Sequence, residues 1–432
     1  MAISSPLASD NAIRRTIQQL PVGYWDFTAA DTKEWTHGYH SYPAMMIPQV
    51  ARSLISIIRQ HQSGILSLFD PFMGSGTSLV EGLLAGLTTV GSDLNPLSRL
   101  LAQAKTTAWA PNTLQARVEA LLDHVAAIRV SDVPSPQFDN LTFWFKPIVI
   151  TELTRLKKSI ETVIPETIKP FFWVAFSDTV RWVSNSRNAE FKLYRLDEVR
   201  LAQWNPDVLA TFRKIVSRNQ IGNAHLWNRR PLPPVSIHAY NAMNLSELPA
   251  ESFDLMVTSP PYGDSRTTVA YGQFSRLSLQ WLNLSEAADG PPLNKLDQAM
   301  LGGLASRELH HSLPSPTLTD ALSRIAHQDM SRARDVLAFY QDLDCTLREI
   351  ARVMRPGGYQ CWVVGNRTVK QTRLLTDQII IELSERHGLI PVVSFARAIP
   401  NKRMPKENSP TNQVGAKVTT MNGEHIFILR KH

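Results

Sequence analysis

The chain has 432 residues, 43% of them apolar, and carries 45 Lys and Arg against 38 Asp and Glu for a net charge of +7. That length and apolar share can bury a substantial core, as one large domain with insertions or as two domains, and the modest positive charge favours a polyanionic partner without requiring one. Apolar windows are broken by charge well short of the ~20 residues a membrane span needs, no basic-then-apolar signal pattern opens the chain, and Cys345 and Cys361 are too few for a disulfide framework or a cysteine zinc cluster. A soluble, cytoplasmic protein is expected.

In chain order, residues 1–36 read as a polar, Pro-containing lead-in. Residues 37–109 alternate short apolar runs with helix-like stretches in the βαβ manner. Ile65 to Phe69 predicts a strand, Asp70-Pro71-Phe72-Met73-Gly74-Ser75-Gly76-Thr77 a glycine-rich turn, Ser78 to Leu87 a helix, and Thr88 to Gly91 a second strand that ends at Ser92-Asp93. A strand that opens through glycines into a helix lets backbone N–H groups approach a ligand closely, and the helix N-terminus favours a negative group such as a carboxylate. An acidic residue at the second strand's tip, about 20 residues after the glycines, is where nucleoside-binding α/β folds hold ribose hydroxyls. The spacing fits a nucleoside with an anionic tail. Neither G-x-G-x-x-G nor G-K-[ST] is present, which weighs against NAD and ATP.

Residues 110–230 predict helices over Leu114 to Val130, Ile148 to Val163 and Trp173 to Val183, and this stretch is too long for a loop. It reads as an inserted helical subdomain. Between Thr179 and Arg230 ten Lys and Arg face four Asp and Glu, interleaved with Trp182, Phe191, Tyr194, Trp204 and Trp227. Such a mixture grips phosphates and stacks bases, although a solvated helical face over core aromatics has the same composition.

Strands resume at Val235 to Ala239 and at Phe253 to Val257, the latter running into Thr258-Ser259-Pro260-Pro261-Tyr262. Two prolines donate no backbone hydrogen bonds and hold φ near −65°, so they end the strand with its last carbonyls facing outward. Ser259 adds an acceptor and Tyr262 a flat ring. Together these suit a planar group with an exocyclic amine, such as a flipped-out nucleobase, while a plain strand-ending turn uses the same residue types.

Residues 283 to 318 are rich in Gly, Pro, Ser and His and read as a mobile segment extending to about 330; His310-His311 lacks the partner spacing of a metal site. A helix from Ser331 to Val353 is predicted to stop at Arg355-Pro356-Gly357-Gly358, followed by a strand over Tyr359 to Val364. Leu389 to Phe395 and Glu424 to Leu429 are the last strands, and Arg397 to Pro410 is a basic, Pro-containing loop suited to phosphate contact. From Phe395 to His432 seven basic residues face two acidic ones.

Asp70 to Thr77, Asp93 and Ser259 to Tyr262 together resemble the motifs of the amino-group DNA methyltransferases, which methylate the exocyclic nitrogen of cytosine or adenine from S-adenosyl-L-methionine. The resemblance covers residues 37 to 105, 235 to 282 and 340 to 430. It implies an α/β fold with a Rossmann-like class I methyltransferase sheet, mostly parallel with a closing antiparallel strand pair, and an inserted, mainly helical subdomain. The implied organisation is a lead-in at 1–36, a cofactor-binding half at 37–109, a helical insertion at 110–230 and a catalytic half at 231–432. The insertion is the first candidate for target recognition and 283–330 the second.

On this resemblance Asp70, Phe72, Gly74, Ser75, Gly76 and Thr77 hold the methionine part of the cofactor and Asp93 its ribose. Tyr42 and Pro43, within His37 to Pro48, close over it. Asn241 stands where the family often places an acidic residue against the adenine. Ser259, Pro260, Pro261 and Tyr262 form the catalytic motif. An exocyclic amine is a poor nucleophile because its lone pair is delocalised, so acceptors at Ser259 and at the Pro260 carbonyl would stabilise charge developing on nitrogen, with Tyr262 stacked on the base. Neither a strong general base nor a metal is required. No Cys follows a Pro, which argues against covalent attack on cytosine C5.

In the family, Ser before Pro-Pro-Tyr usually accompanies cytosine, and Asp or Asn accompanies adenine. Cytosine-N4 is therefore the expected target and adenine-N6 the alternative. An RNA methyltransferase, or a non-catalytic nucleic-acid-binding module on the same fold, is a further reading. The implied partner is double-stranded DNA, with room for a cognate restriction endonuclease acting separately and with no membrane.

Overall fold

The computed structural model describes residues 7–129, 136–188, 192–264, 268–284, 291–292, 295–399 and 423–432, with the backbone of 407–408 and 418–419. Its centre is a sheet of seven strands: β1 (Ser67–Asp70), β2 (Thr88–Ser92), β3 (Val235–His238), β4 (Phe253–Thr258), β5 (Met354–Val364), β6 (Leu389–Ala398) and β7 (Gly423–Lys431). Their order is β3-β2-β1-β4-β5-β7-β6. The first five strands run parallel, and β7 lies antiparallel between β5 and β6. From β1 the chain winds outward to β3, then returns to place β4 on the other side of β1. Strand order thus reverses between β1 and β4, and a crevice opens there at the carboxyl ends of the strands.

The sheet is covered on both faces, which is why β4 is buried at all six positions and reads as an unbroken apolar run. Successive residues point to opposite faces. Leu68, Leu255, Val257, Cys361 and Val363 pack toward α1 (Ala8–Gln19), α2 (Pro48–His61) and α3 (Thr77–Leu84). A helical block follows: α4 (Pro96–Thr106), α5 (Pro111–Ala127), α6 (Pro147–Glu161), α7 (Lys169–Val183), α8 (Val208–Trp227) and, from beyond the motif at β4, α9 (Tyr271–Leu282). These helices enclose a separate aromatic core that includes Phe145, Phe171, Phe172, Phe176, Phe212 and Trp281. The other face of the sheet, with Phe69, Phe253, Met256, Trp362 and Val364, is covered by α10 (Pro316–Gln328), α11 (Met330–Val353) and α12 (Thr376–Glu385). Phe69 and Phe253 stack across β1 and β4 at 4.7 Å. Five of the helices open on a proline, at 48, 96, 111, 147 and 316, where the missing N–H would have had no partner anyway.

Four expectations change. The lead-in is part of the fold from residue 7 onward: Ile13 and Ile17 of α1 are buried, the Arg430 Nε–H is shared between the two Asp10 carboxylate oxygens, each at 3.0 Å, and Trp25 packs on Phe395. Arg355 to Gly358 do not separate helix from strand, because β5 already begins at Met354 and absorbs them through a register shift against β4. Within 283–330, Leu296, Leu301 and Leu318 are buried, so the described part of that stretch is packed. Arg397 belongs to β6 and is buried, its guanidinium donating to the Trp25 carbonyl at 2.8 Å and ion-paired with Glu424, so it does not face solvent as a phosphate contact. Residues 400–406 and 409–410 of that loop, Phe191 and Gly290 lie outside the described residues. Among the described residues no helix is long and apolar enough to cross a membrane.

Candidate active site

The ends of β1, β2 and β4 meet at the crevice. The turn after β1 reverses through Gly74 (φ +48°) and Gly76 (φ +83°), left-handed conformations that side chains disfavour. A Cβ on Gly76 would also sit 3.0 Å from Ala102 of α4. The turn is tied down by the end of β2: Gly74 N–H donates to Asp93 Oδ2 at 3.0 Å, while Asp93 Oδ1 accepts from Asn95 N–H at 2.8 Å. At the end of β1, Asp70 Oδ1 accepts from Phe72 N–H at 3.0 Å and from Thr258 Oγ1 at 2.6 Å. That last bond joins the glycine turn to the strand that carries Ser259. Sequence places these residues 188 positions apart, and the parallel pairing of β1 with β4 makes them neighbours.

Burial pushes both carboxyls up to about 6, against the pull of the hydrogen bonds they accept, and the Asp93 charge adds to the rise at Asp70. A cleft opens above them. Tyr42, Pro43, Asp70, Phe72, Gly74, Ser75, Thr77 and Asp93 line it, as do Asn241, Ser259 and Pro261. Gly76, Pro260 and Tyr262 do not: Gly76 backs onto α4, Pro260 is buried, and Tyr262 turns to a partner on β7.

No Lys or Arg is among the described lining residues. Two buried carboxylates at the cleft, with Arg99 Nη1 donating to the Asp93 carbonyl at 2.9 Å, suit a ligand bearing positive charge and hydroxyls, and the N-terminus of α3, opening from the glycine turn, suits its carboxylate. S-adenosyl-L-methionine, with an ammonium, a sulfonium, a ribose and a carboxylate, meets both conditions.

Several lining and supporting residues were not apparent from the sequence. Tyr42 stacks on Tyr271 at 5.9 Å, and its hydroxyl pairs with Ser98 Oγ at 2.6 Å and accepts from Asn95 Nδ2 at 3.2 Å. Tyr240 stacks flat on His238 at 4.6 Å. Met300 and Leu301 reach the cleft from the stretch expected to be mobile. Asn241 spends its side chain locally, accepting from Met243 N–H at 3.0 Å and donating to the Ala299 carbonyl at 3.5 Å. Ser259 Oγ lies 3.1 Å from the Tyr262 hydroxyl, which donates to Glu424 Oε1 at 2.9 Å, and Glu424 Oε2 pairs with Arg397. Burial first, and then the Glu424 charge, raise the Tyr262 phenol well above its usual value. A glycine follows because Arg367 packs where a Cβ on Gly263 would be, its Nη1 bonded to Asp264 at 3.1 Å.

A sheet of this order, with its cleft at the β1–β4 switch point, is the architecture expected of a methyltransferase that uses S-adenosyl-L-methionine, and sequence comparison decides the class. No family model matches the chain. Over 429 residues it is 46% identical to the Type II methyltransferase M.MvaI of Kocuria varians, spanning 95% of this chain and 94% of that one. The chain belongs to the Type II DNA methyltransferases. A shorter match, 37% identical over 86 residues, covers 19% of this chain and 16% of the Type II methyltransferase M.MjaII of Methanocaldococcus jannaschii. Among solved structures, the rRNA methyltransferase aviRa of Streptomyces viridochromogenes aligns over 90% of this chain and 88% of its own at 11% identity, with a TM-score of 0.32. Superposition that loose says nothing about substrate, and membership rests on the Kocuria varians relative.

Proposed function

We propose that the protein methylates the exocyclic N4 amine of cytosine in double-stranded DNA, on a base turned out of the helix and into the cleft beside Ser259. The observation that carries this reading is the Ser259 hydroxyl, which lines the same cleft as Asp70 and Asp93. S-adenosyl-L-methionine, when bound, supplies the electrophilic methyl group. Asp70 and the glycine turn would hold its amino-acid end and Asp93 its ribose, with Tyr42 and Pro43 closing above.

The chain's own part in the chemistry follows from what the amine lacks. Ser259, which lines the cleft beside Pro261, accepts an N–H of the amine and stabilises positive charge as the nitrogen becomes tetrahedral. Tyr262, held at its hydroxyl, and the two prolines fix the plane in which the base can lie, so that nitrogen and methyl meet in line. Proton loss from the methylated amine to water needs no strong base. Ser in place of Asp or Asn favours cytosine over adenine-N6.

Target recognition is assigned to the helical insertion at 110–230. Trp182 and Tyr194 are exposed there, and the Arg195 guanidinium lies 4.5 Å over the Phe143 ring. A cognate endonuclease acting separately fits this role.

Nucleoside mass spectrometry and modified-base sequencing of DNA from cells expressing the protein test the proposal. N4-methylcytosine at one recurring sequence is expected, and Ser259→Ala should abolish it while calorimetry still detects cofactor binding. N6-methyladenine in its place would refute cytosine as target, and absence of any methylated base would refute DNA methylation by this chain.

A further inference from the structure

The hydroxyl of Ser259 can donate or accept, and a site that stabilises an amine needs it to accept. The choice is made 165 residues further along the chain, at Glu424. An ionised Glu beside Arg397 has lone pairs and no proton to give, so the Tyr262 hydroxyl donates to Glu424 Oε1 at 2.9 Å. With its proton committed, the Tyr262 oxygen can only accept from Ser259 Oγ, 3.1 Å away. The Ser259 proton is then committed as well, and the lone pairs of Oγ are what remain for the cleft.

We infer that Glu424 is a positioning residue that sets the direction of this hydrogen-bond chain, so that Ser259 meets the target base as an acceptor only. The inference rests on the reading of Ser259 as the group that receives an exocyclic amine. Its consequence is selectivity by polarity: a base edge presenting N–H at that point is held, and one presenting a carbonyl, as thymine or uracil does, meets lone pairs and is repelled. The direction is held from behind. Arg397 pairs with the second Glu424 oxygen and donates to the Trp25 carbonyl at 2.8 Å, and Arg397 and Glu424 face each other across the β6–β7 register.

Glu424→Gln separates direction from shape. The amide has the size of the carboxylate but one oxygen, and the Arg397 guanidinium competes for that oxygen with the stronger, charge-assisted bond. The –NH₂ then faces Tyr262, which must turn its own proton toward Ser259, and the chain reverses. Single-turnover transfer of labelled methyl from S-adenosyl-L-methionine to DNA grown without the protein is the readout, with cofactor affinity by calorimetry and melting temperature measured alongside.

Glu424→Gln is expected to slow transfer by about tenfold or more, the worth of one misdirected hydrogen bond, at unchanged cofactor affinity. In a Tyr262→Phe background, where no hydroxyl relays the direction, the same change should matter less than about twofold. Tyr262→Phe alone, which leaves the Glu424–Arg397 pair in place, should slow transfer too, and it provides the test if Glu424→Gln proves unstable. Equal losses from Glu424→Gln in both backgrounds would mark Glu424 as merely structural and overturn the inference, as would a normal rate in either single variant. If the wild-type protein transfers no methyl to DNA, the functional reading itself fails and this inference with it. A wild type that does, beside unaffected variants, sinks the inference alone.

Discussion

Asp70 is 2% exposed, and burial pushes its carboxyl up from an ordinary 3.8 to about 6. A group whose folded pKa is raised stabilises the fold fully below its unfolded pKa and loses that contribution as pH climbs past the folded value. The apo protein should therefore lose stability between about pH 4 and pH 7, and the gap from 3.8 to about 6 corresponds to about 3 kcal/mol at pH 8. Asp70→Asn keeps an oxygen for Phe72 N–H and Thr258 Oγ1 but cannot ionise. The variant should be more stable than wild type at pH 8 by up to about 3 kcal/mol, and by roughly half that at pH 5, where only the unfolded carboxyl has ionised. Asp93, also near 6, titrates with it and leaves a residual slope in the variant. Urea unfolding followed by tryptophan fluorescence at the two pH values, without cofactor, measures this directly. Calorimetry should show that the stabilised variant binds S-adenosyl-L-methionine poorly. Parallel pH profiles for the two proteins, or a variant less stable at pH 8, would refute the assignment of buried charge at Asp70.

Two further outcomes are expected. Asp93→Ala removes the acceptor of both Gly74 and Asn95 N–H groups and should weaken cofactor binding by about tenfold or more in calorimetry; unchanged affinity would detach Asp93 from the site. Trp182, 44% exposed on α7, should behave as a base-stacking residue: Trp182→Ala is expected to weaken DNA binding by about tenfold in gel-shift titrations at fixed salt with no change in melting temperature, and unaltered DNA affinity would remove it from the recognition surface.

What the sequence made legible was what is local. Asp70 to Thr77 and Thr258 to Tyr262 are each a strand end plus a turn, and their residue types alone dictate the backbone. The seven strands were legible for the same reason, since the five parallel and the two closing antiparallel strands alike read as short apolar runs bounded by breakers. Local pattern cannot report a partner far away in sequence. Glu424 is 162 residues from Tyr262, Tyr271 stacks on Tyr42 from another helix, and nothing near any of them signals the pairing. Arg397 misled because a basic residue beside a Pro-containing loop resembles a phosphate contact, whereas its charge is spent inside the protein on Glu424. In α1 the inward face rests on little more than Ile13 and Ile17, four residues apart in a polar stretch, too sparse to distinguish a docked helix from a loose leader. Helix starts were misjudged by up to three residues where Pro111 and Pro147 begin helices whose apolar spacing emerges only later.

The last of the seven strands in sequence is not an edge strand. β7 lies between β5 and β6 and must enter a gap whose two walls were synthesised earlier. Until it does, β5 and β6 share no neighbour, and Tyr262 lacks the Glu424 carboxylate that fixes the direction of its proton. The Tyr262–Glu424 contact spans 162 residues and needs β7 in place, so it forms only after the loop-closure entropy of that span is spent. On this reasoning a nascent or partly unfolded chain could already present the glycine turn and both aspartates while its Ser259 hydroxyl still rotates freely. Cofactor capture would then mature before methyl transfer does, and the closing strand would act as the final checkpoint on a catalyst that writes lasting marks on DNA.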